Sequence, residues 1–266
     1  MRHASLVLGL TLLGVLLVCA LVPGWVAPYD PLVFDYEALL QPPSGAHPFG
    51  TDQFGRDMLS RTIDAAGLDL QIAVFATLGP LLIGGLAGLL VGYFGGWADI
   101  VFGRLVDLVV TFPFLVLVIA IVAILGPGLI NMYIAISCVG WVFYARLMRG
   151  EVRLQRQQDY VAATRVLGFR TGRIVFRHVL PNAVRPVLVY MVTDMALAIL
   201  LGSSLGYLGL GAQPPAAEWG VLIADGKNFF TQAPWISLFP GVAIVLCGLG
   251  FSLTGDGLAE LLRVRR

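Results

Sequence analysis

The feature that most constrains this 266-residue chain is a series of apolar runs, each long enough to cross a bilayer as a helix, which takes about 20 residues. Six runs occur, at residues 6–22, 70–94, 105–125, 129–147, 184–205 and 236–253. They are rich in Gly and Leu and lack the strict alternation of barrel strands, so they predict helices. Only 12% of the residues are charged, against roughly 25% in an average soluble domain. The sequence therefore predicts an all-α membrane protein with six transmembrane helices.

The basic residues indicate which ends of these runs share a side, because loops that stay cytoplasmic carry the excess of Lys and Arg. With the N-terminus inside, 14 of the 17 Lys and Arg residues fall on that side, and the acids from Asp30 to Asp69 lie opposite. We therefore expect a multi-pass protein with both termini in the cytoplasm. The first run follows Arg2 and His3, so a cleavable signal peptide is an alternative for it, and its removal would leave the other loops on the same sides.

Two connections between the runs are long, and long loops tend to carry function. We divide the chain into residues 1–69, with the first helix and an outside segment, residues 70–258, a five-helix core, and residues 259–266, a cytoplasmic tail. The outside segment contains a Gly-punctuated turn at residues 47–61, which predicts the start of a short helix. The second long connection, residues 150–182, lies on the inside and belongs to the core.

The inside connection predicts two short helices. Asp159 is expected to cap the first helix, and Gly168 to supply the left-handed residue that ends it. Thr171 is expected to cap the second helix, and Pro181 to end it. Arginines share the segment with apolar residues, so an amphipathic stretch lying on the anionic membrane surface is an alternative.

Four blocks stand in order along the chain: Gly-Thr-Asp-x-x-Gly-Arg-Asp at 50–57, Ala-Ala-Thr to Leu-Pro at 162–181, Leu-Gly-Leu-Gly-x-Gln-Pro-Pro at 208–215, and Gly-Asp-Gly-Leu at 255–258. They resemble the permease subunits of bacterial ABC importers for dipeptides, oligopeptides and, in some branches, nickel complexes. The block at 162–181 is similar to that family's Glu-Ala-Ala loop, with Ala162 in place of the Glu. The resemblance covers nearly the whole chain.

The resemblance implies a type I importer permease fold in the bacterial inner membrane. Two permease subunits would form the pathway, two cytoplasmic ATPase subunits would use ATP and Mg, and a periplasmic or surface-anchored binding protein would deliver the substrate. A second, related permease is the expected partner, which favours a heterodimer, beside membrane lipid and without nucleic acid. The resemblance implies ATPase coupling by nine residues: Ala162, Ala163, Thr164, Arg165, Leu167, Gly168, His178, Leu180 and Pro181. Small residues on a short helix let another protein's groove close around its backbone.

Two acids lie closest to the bilayer interior. Intramembrane acids usually face a bundle interior or a wet cavity, so Asp194 is a candidate for the pathway, with a structural partner on another helix as an equal alternative. It could stand in for an acid that relatives carry where this chain has Gly202. For Asp107 we expect an interfacial ion pair with Arg104, three residues away on the same helix.

The block after the fifth run is expected to form an outer gate. Its candidates are Gly209, Gly211, Gln213 and Trp219. The glycines would permit close packing, two prolines would turn the chain, and Trp219 would lie at the membrane interface, where aromatic residues concentrate. A rigid loop that ties two helices together is the alternative.

Two stretches of the sequence only partly meet the requirements of known catalytic or nucleotide-binding motifs. The stretch from Gly220 to Lys227 resembles a phosphate-binding loop but has one residue too many and lacks the Ser or Thr. Gly-Ser-Ser-Leu-Gly at 202–206 matches a nucleophile elbow, but every histidine is remote from it. We therefore expect no catalytic residue and no metal or other cofactor on this chain, with ATP hydrolysed by partners. An intramembrane enzyme and a passive channel are the alternatives, and the substrate is open among dipeptides, oligopeptides, nickel complexes and other small solutes.

Overall fold

A computed structural model describes residues 4–263, which form a bundle of α-helices. The helices are α1 (Ala4–Leu21), α2 (Pro23–Val26), α3 (Met58–Phe94), α4 (Gly96–Thr111), α5 (Phe114–Leu125), α6 (Leu129–Arg156), α7 (Asp159–Val166), α8 (Thr171–Arg173), α9 (Leu180–Tyr207), α10 (Trp219–Gly226) and α11 (Trp235–Arg263). A π-helical segment, Ile174–Val179, joins α8 to α9. Among the described residues, five helices are long and apolar enough to cross a membrane, or six when α4 and α5 count as one bent span. The all-α fold predicted from the apolar runs is confirmed.

The third apolar run is bent. Helices α4 and α5 meet at 87° across Phe112 and Pro113. Proline disfavours helical backbone at the residue before it, and Phe112 is accordingly extended, with φ −85° and ψ 142°. The helix expected over residues 105–125 is therefore broken into two, because a hydropathy pattern does not register a break of two residues.

The second span begins earlier than its apolar run. Helix α3 starts at Met58, and the Asp57 carboxylate caps it by accepting a hydrogen bond from the Ser60 N–H at 2.8 Å. The short helix predicted in the outside segment is thus the first part of α3. Asp69, which we placed outside, lies within this helix and is fully buried.

Close helix contacts hold the core together. Helix α3 packs along α6, where a Cβ at Gly84 would overlap the Trp141 carbonyl oxygen and a Cβ at Gly88 would lie 2.5 Å from the carbonyl oxygen of Ala145. Helix α9 packs against both α3 and α11, and α1 lies along α11 with Gly9 buried in the contact. Packing contacts of this kind drive helix association in lipid, where the hydrophobic effect between helices is absent.

The inside connection contains the two predicted short helices with different caps. Gln158 precedes α7, so Asp159 is its first helical residue, and Thr171 likewise begins α8 and caps nothing. Gly168 has φ +75° and ends α7 as predicted. Pro181 lies in the first turn of α9 and does not end a helix. The wider π-helical turn ahead of it makes room for the proline ring, so the chain continues into the span.

Candidate functional site

The predicted site residues fall in three regions of the bundle. We call them the outer cluster (residues 47–69 with 202–225), the Asp194 cavity (between α3, α5, α6 and α9) and the inner connection (residues 157–182). The structure brings together segments that the charge pattern assigned to one side. Trp235, at the start of α11, donates its indole N–H to the Thr51 carbonyl at 3.0 Å, and Arg61 of α3 lies 3.5 Å from Asp225 of α10.

A buried ionic network forms the base of the outer cluster. The Asp52 carboxylate, with no exposed surface, accepts from the Arg56 Nε at 2.7 Å and from an Arg61 terminal nitrogen at 2.7 Å. It also accepts from the backbone N–H groups of Phe54 and Arg56. Buried charges are tolerated when they are paired and hydrogen-bonded in this way. The network fastens the outside segment to the first turn of α3.

Trp219 lies inside the outer cluster and not at the membrane interface. Its side chain has no exposed surface, and its indole N–H donates to the Thr62 carbonyl at 3.0 Å. Its backbone N–H donates to an Asp69 carboxyl oxygen at 3.0 Å. The interfacial position predicted for Trp219 is therefore wrong, because both of its N–H groups find acceptors on α3.

Glu218, which the sequence analysis did not single out, caps α10 from a buried position. Its carboxyl oxygens accept from the N–H groups of Gly220 at 2.8 Å and Val221 at 3.0 Å. Burial raises the pKa of Glu218, and the Asp69 carboxyl is its neighbour. The carboxyl also packs on Gly206, since a Cβ there would overlap it. The acid beside residues 202–206 is thus Glu218, whereas Asp194 lies eight residues from Gly202, about 12 Å along α9.

The Gly-rich block forms the turn that leaves α9. Gly209 has φ +75°, which favours glycine, and Gly211 packs against Gly206. The exposed Gln213 folds back, and its amide donates to the carbonyls of Gly209 at 3.2 Å and Gly211 at 3.1 Å. The Pro214–Pro215 peptide bond is cis. The structure therefore gathers Gly209, Gly211, Gln213 and Trp219 at one end of the bundle, with Trp219 against the buried Asp69.

Asp194 lies apart from this end. Its carboxylate accepts a hydrogen bond from the Tyr144 hydroxyl of α6 at 2.7 Å, and the Tyr144 ring meets the Tyr190 ring edge-to-face at 5.1 Å. The carboxylate also lines a cavity of about 400 Å³. Asp194 thus has both a partner on another helix and a place in a cavity wall. The partner expected for Asp107 is wrong, because it pairs with Arg146 at 2.7 Å across two helices.

The inner connection presents one buried and one exposed face. Val161 and Thr164 of α7 pack inward, toward the π-helical residues Ile174, Val175 and Val179. The outward face carries Ala162, Ala163 and Arg165, followed by Val166, which is 89% exposed, and Leu167, which is 70% exposed. His178 stacks on Phe169 at 5.7 Å, Leu180 is partly buried, and Pro181 is exposed. The residues predicted for coupling therefore include an accessible stripe on α7 and the chain that supports it.

The arginines near this stripe differ in their partners. Arg149 and Arg153 of α6 both donate to Asp99 of α4, Arg149 at 2.5 Å. Within the part of the chain that the structure describes, no ion pair is found for Arg165, Arg170 or Arg177. These three exposed arginines leave positive charge on the inner connection. Among residues 4–263, no group of three His, Cys, Asp or Glu side chains is placed to hold a metal ion.

Comparison with known proteins gives consistent matches over most of the chain. Residues 84–266 match the family described as binding-protein-dependent transport system inner membrane component, and residues 1–43 match the N-terminal TM domain of oligopeptide transport permease C. A dipeptide transport system permease protein, DppC, of Alkalihalophilus pseudofirmus is 45% identical over 84% of this chain and 73% of its own length.

Two further relatives cover more of the chain. A di/tripeptide transport system permease protein of Pseudomonas aeruginosa is 43% identical over 96% of this chain and 86% of its own length. A glutathione transport system permease protein of Pectobacterium atrosepticum is 37% identical over 98% of this chain and 87% of its own length. Among solved structures, an inward-facing MetNI methionine ABC transporter chain matches with a TM-score of 0.63 and 18% identity, over 79% of this chain and 98% of that one. That structure shows the same fold.

Proposed function

The chain belongs to the family of binding-protein-dependent transport system inner membrane components, and from this premise we propose that it forms half of the pathway of an ATP-driven importer of di- or oligopeptides. The observation that carries the proposal is the accessible stripe on α7, attached at one end to α6 and at the other to α9. A protein that grips this stripe can move two membrane-spanning helices at once. The permeases named for dipeptides and di/tripeptides, at 45% and 43% identity, support peptides as the substrate class.

The family implies the partners, and this chain presents an exposed surface for one kind of them. The exposed Val166 and Leu167, with Arg165 beside them, offer an apolar contact with a positive rim to two cytoplasmic ATPase subunits, which use ATP and Mg. The inner connection then faces the cytoplasm, so both termini lie there too, in agreement with the excess of basic residues. A second, related permease completes the pathway, and a binding protein delivers the substrate to the outer cluster.

The outer cluster serves as the outer gate in this proposal. Ala212 is 3% exposed, while the next residue, Gln213, is exposed. With Cys19, Cys138 and Cys247 replaced, a single Cys at Ala212 should react from outside at a rate that changes when ATP is trapped. A single Cys at Gln213 is the matched control and should react in both states. Constant labelling at Ala212 in a transporting complex would leave a rigid loop and no gate.

Uptake by the reconstituted complex tests the function as a whole. The full chain, its partner permease, both ATPases and the binding protein are placed in vesicles and offered a labelled dipeptide, a labelled tetrapeptide and a nickel chelate. We expect a peptide to accumulate only with the binding protein and hydrolysable ATP. Accumulation without ATP would indicate a passive channel, and accumulation of nickel alone would replace the peptide by a metal complex.

A further inference from the structure

Asp194 is a membrane-depth carboxylate with no cationic partner among the described residues. It accepts one hydrogen bond, from the Tyr144 hydroxyl at 2.7 Å. Among residues 4–263, none of the ion pairs includes Asp194. A carboxylate held away from bulk water needs a cation, several donors or a wet cavity to stabilise its charge. One phenol leaves most of the acceptor capacity of Asp194 unused.

The cavity beside this carboxylate has the size and lining of a small-molecule site. Its volume is about 400 Å³, within the range of roughly 300–1,000 Å³ usual for such sites. Aromatic side chains form part of the wall, including Tyr190, Phe114 and Phe143, and the last two rings lie 5.9 Å apart. Leu197 and Leu201 add apolar surface. The lining contains one carboxylate and no Lys, Arg or His.

This combination selects for a cation with an apolar neighbour. A carboxylate forms strong charge-assisted hydrogen bonds with an ammonium group, and aromatic faces attract the same charge through their quadrupole. An anion would meet no positive group in the cavity. A peptide carries both features at one end, since its protonated α-amino group adjoins its first side chain.

We propose that the Asp194 cavity is a binding site for the α-amino end of a peptide in transit, with the ammonium on the carboxylate of Asp194 and the first side chain against the aromatic wall. The proposal rests on the proposed function, because it assumes that peptides enter this pathway. It adds a site within the membrane that binds the amino end of the peptide and does not recognise its carboxyl end. Tyr144 acts as a positioning residue, holding one oxygen of the carboxylate.

Three related ligands separate this site from general peptide affinity. The complex of this chain with its partner permease and ATPases is placed in lipid nanodiscs without the binding protein. The probe is radiolabelled alanyl-phenylalanine, with N-acetyl-alanyl-phenylalanine and alanyl-phenylalanine amide as competitors. Loss of one charge-assisted hydrogen bond should weaken the acetylated competitor by about tenfold or more. The amide should compete as well as the unmodified peptide.

Variants assign the effect to the cavity. Asp194→Asn should weaken binding of the free amine by about tenfold and remove the preference over the acetylated peptide. Tyr190→Leu keeps the carboxylate and removes one ring, and should weaken the free amine by about threefold, so it remains informative if Asp194→Asn fails to assemble. Asp107→Asn, outside the cavity, is the control and should bind as wild type.

Several results would overturn the site. The first is equal competition by the acetylated peptide. The second is a preference for the free amine that persists in Asp194→Asn, together with full binding in Tyr190→Leu. The third is no peptide binding by a wild-type complex that transports peptide with its binding protein. In each case peptide uptake itself would stand. Failure of the proposed function is a separate result, read as absence of peptide uptake by the wild-type complex in vesicles.

Discussion

The outer cluster and the inner connection both carry arginines, yet in the first the arginines pair with a buried carboxylate of the chain and in the second they are exposed. In the outer cluster, Asp52 is fully buried and paired with two arginines, and Trp219 packs against α3 with no exposed surface. In the inner connection, Val166 and Leu167 are exposed, and no partner within residues 4–263 is found for Arg165. The first region stabilises the bundle, and the second is the surface where we propose that an ATPase subunit docks.

The largest effect on stability should come from the outer cluster. Asp52→Asn keeps the shape of the side chain but leaves Arg56 without a carboxylate partner and Arg61 with only Asp225, at 3.5 Å. Such a change costs about 3–5 kcal/mol in the free energy of unfolding. Thermal unfolding of the purified chain in detergent measures it. A variant that melts with the wild type would show that the network is dispensable and would weaken the contrast between the regions.

A smaller loss of stability, with a complete loss of coupling, is expected at Gly168. Its φ of +75° costs a residue with a Cβ about 1–2 kcal/mol, and apart from its two sequence neighbours no atom of residues 4–263 lies within 4 Å of the Cβ position. Gly168→Trp should therefore remain in the membrane but block the groove of an ATPase. Stimulation of ATP hydrolysis by loaded binding protein is the readout.

Gly168→Ala is the matched control for this experiment, since it carries the same backbone strain without the bulk. It should retain stimulation. If Gly168→Trp is also stimulated normally, the coupling role assigned to the inner connection is wrong. If both variants lose stimulation equally, backbone strain and not bulk is responsible.

The exposed ion pair between Asp107 and Arg146 should give a third, weaker effect on stability. Asp107 and Arg146 lie 2.7 Å apart, but their side chains are 61% and 47% exposed. Exposed pairs contribute roughly 0.2–1 kcal/mol, because water screens them and two side chains lose freedom. Asp107→Asn should lower the melting temperature far less than Asp52→Asn, measured side by side. A comparable loss in melting temperature would mean that solvent exposure does not decide how much an ion pair contributes to stability.

The smallest change in stability is expected from the exposed stripe itself. Val166→Ser with Leu167→Ser alters two outward side chains, and surface changes of this kind stay within about 0.5 kcal/mol. The double variant should nevertheless lose the ATPase subunits during co-purification. Val161→Ser, on the buried face of the same helix, is the contrasting variant and should destabilise the chain. Retention of the ATPases by the double variant would place the docking surface elsewhere.

The fold could be predicted from the sequence because a bilayer leaves the chain few options. Backbone groups without water must bond within their own segment, so an apolar run of sufficient length becomes a helix whatever its neighbours are. The left-handed Gly168 was likewise a local matter, decided by glycine's freedom at positive φ. The prediction failed where a local signal had two structural solutions, as at Pro181, which enters α9 after a π-helical turn.

The contacts between distant segments were decided by the tertiary structure alone. Periodicity and composition gave no sign that Trp219 would meet Asp69 and Thr62 across about 150 residues of chain, or that Asp107 would pair with Arg146. Asp69 carried one signal, an acid at the edge of an apolar run, but its partner depends on how α10 folds back. The sequence by itself determined which segments are helical and which ends share a side, because those follow from local bonding and from charge. Only tertiary packing decided which charges are buried, because burial depends on what the rest of the chain places around each residue.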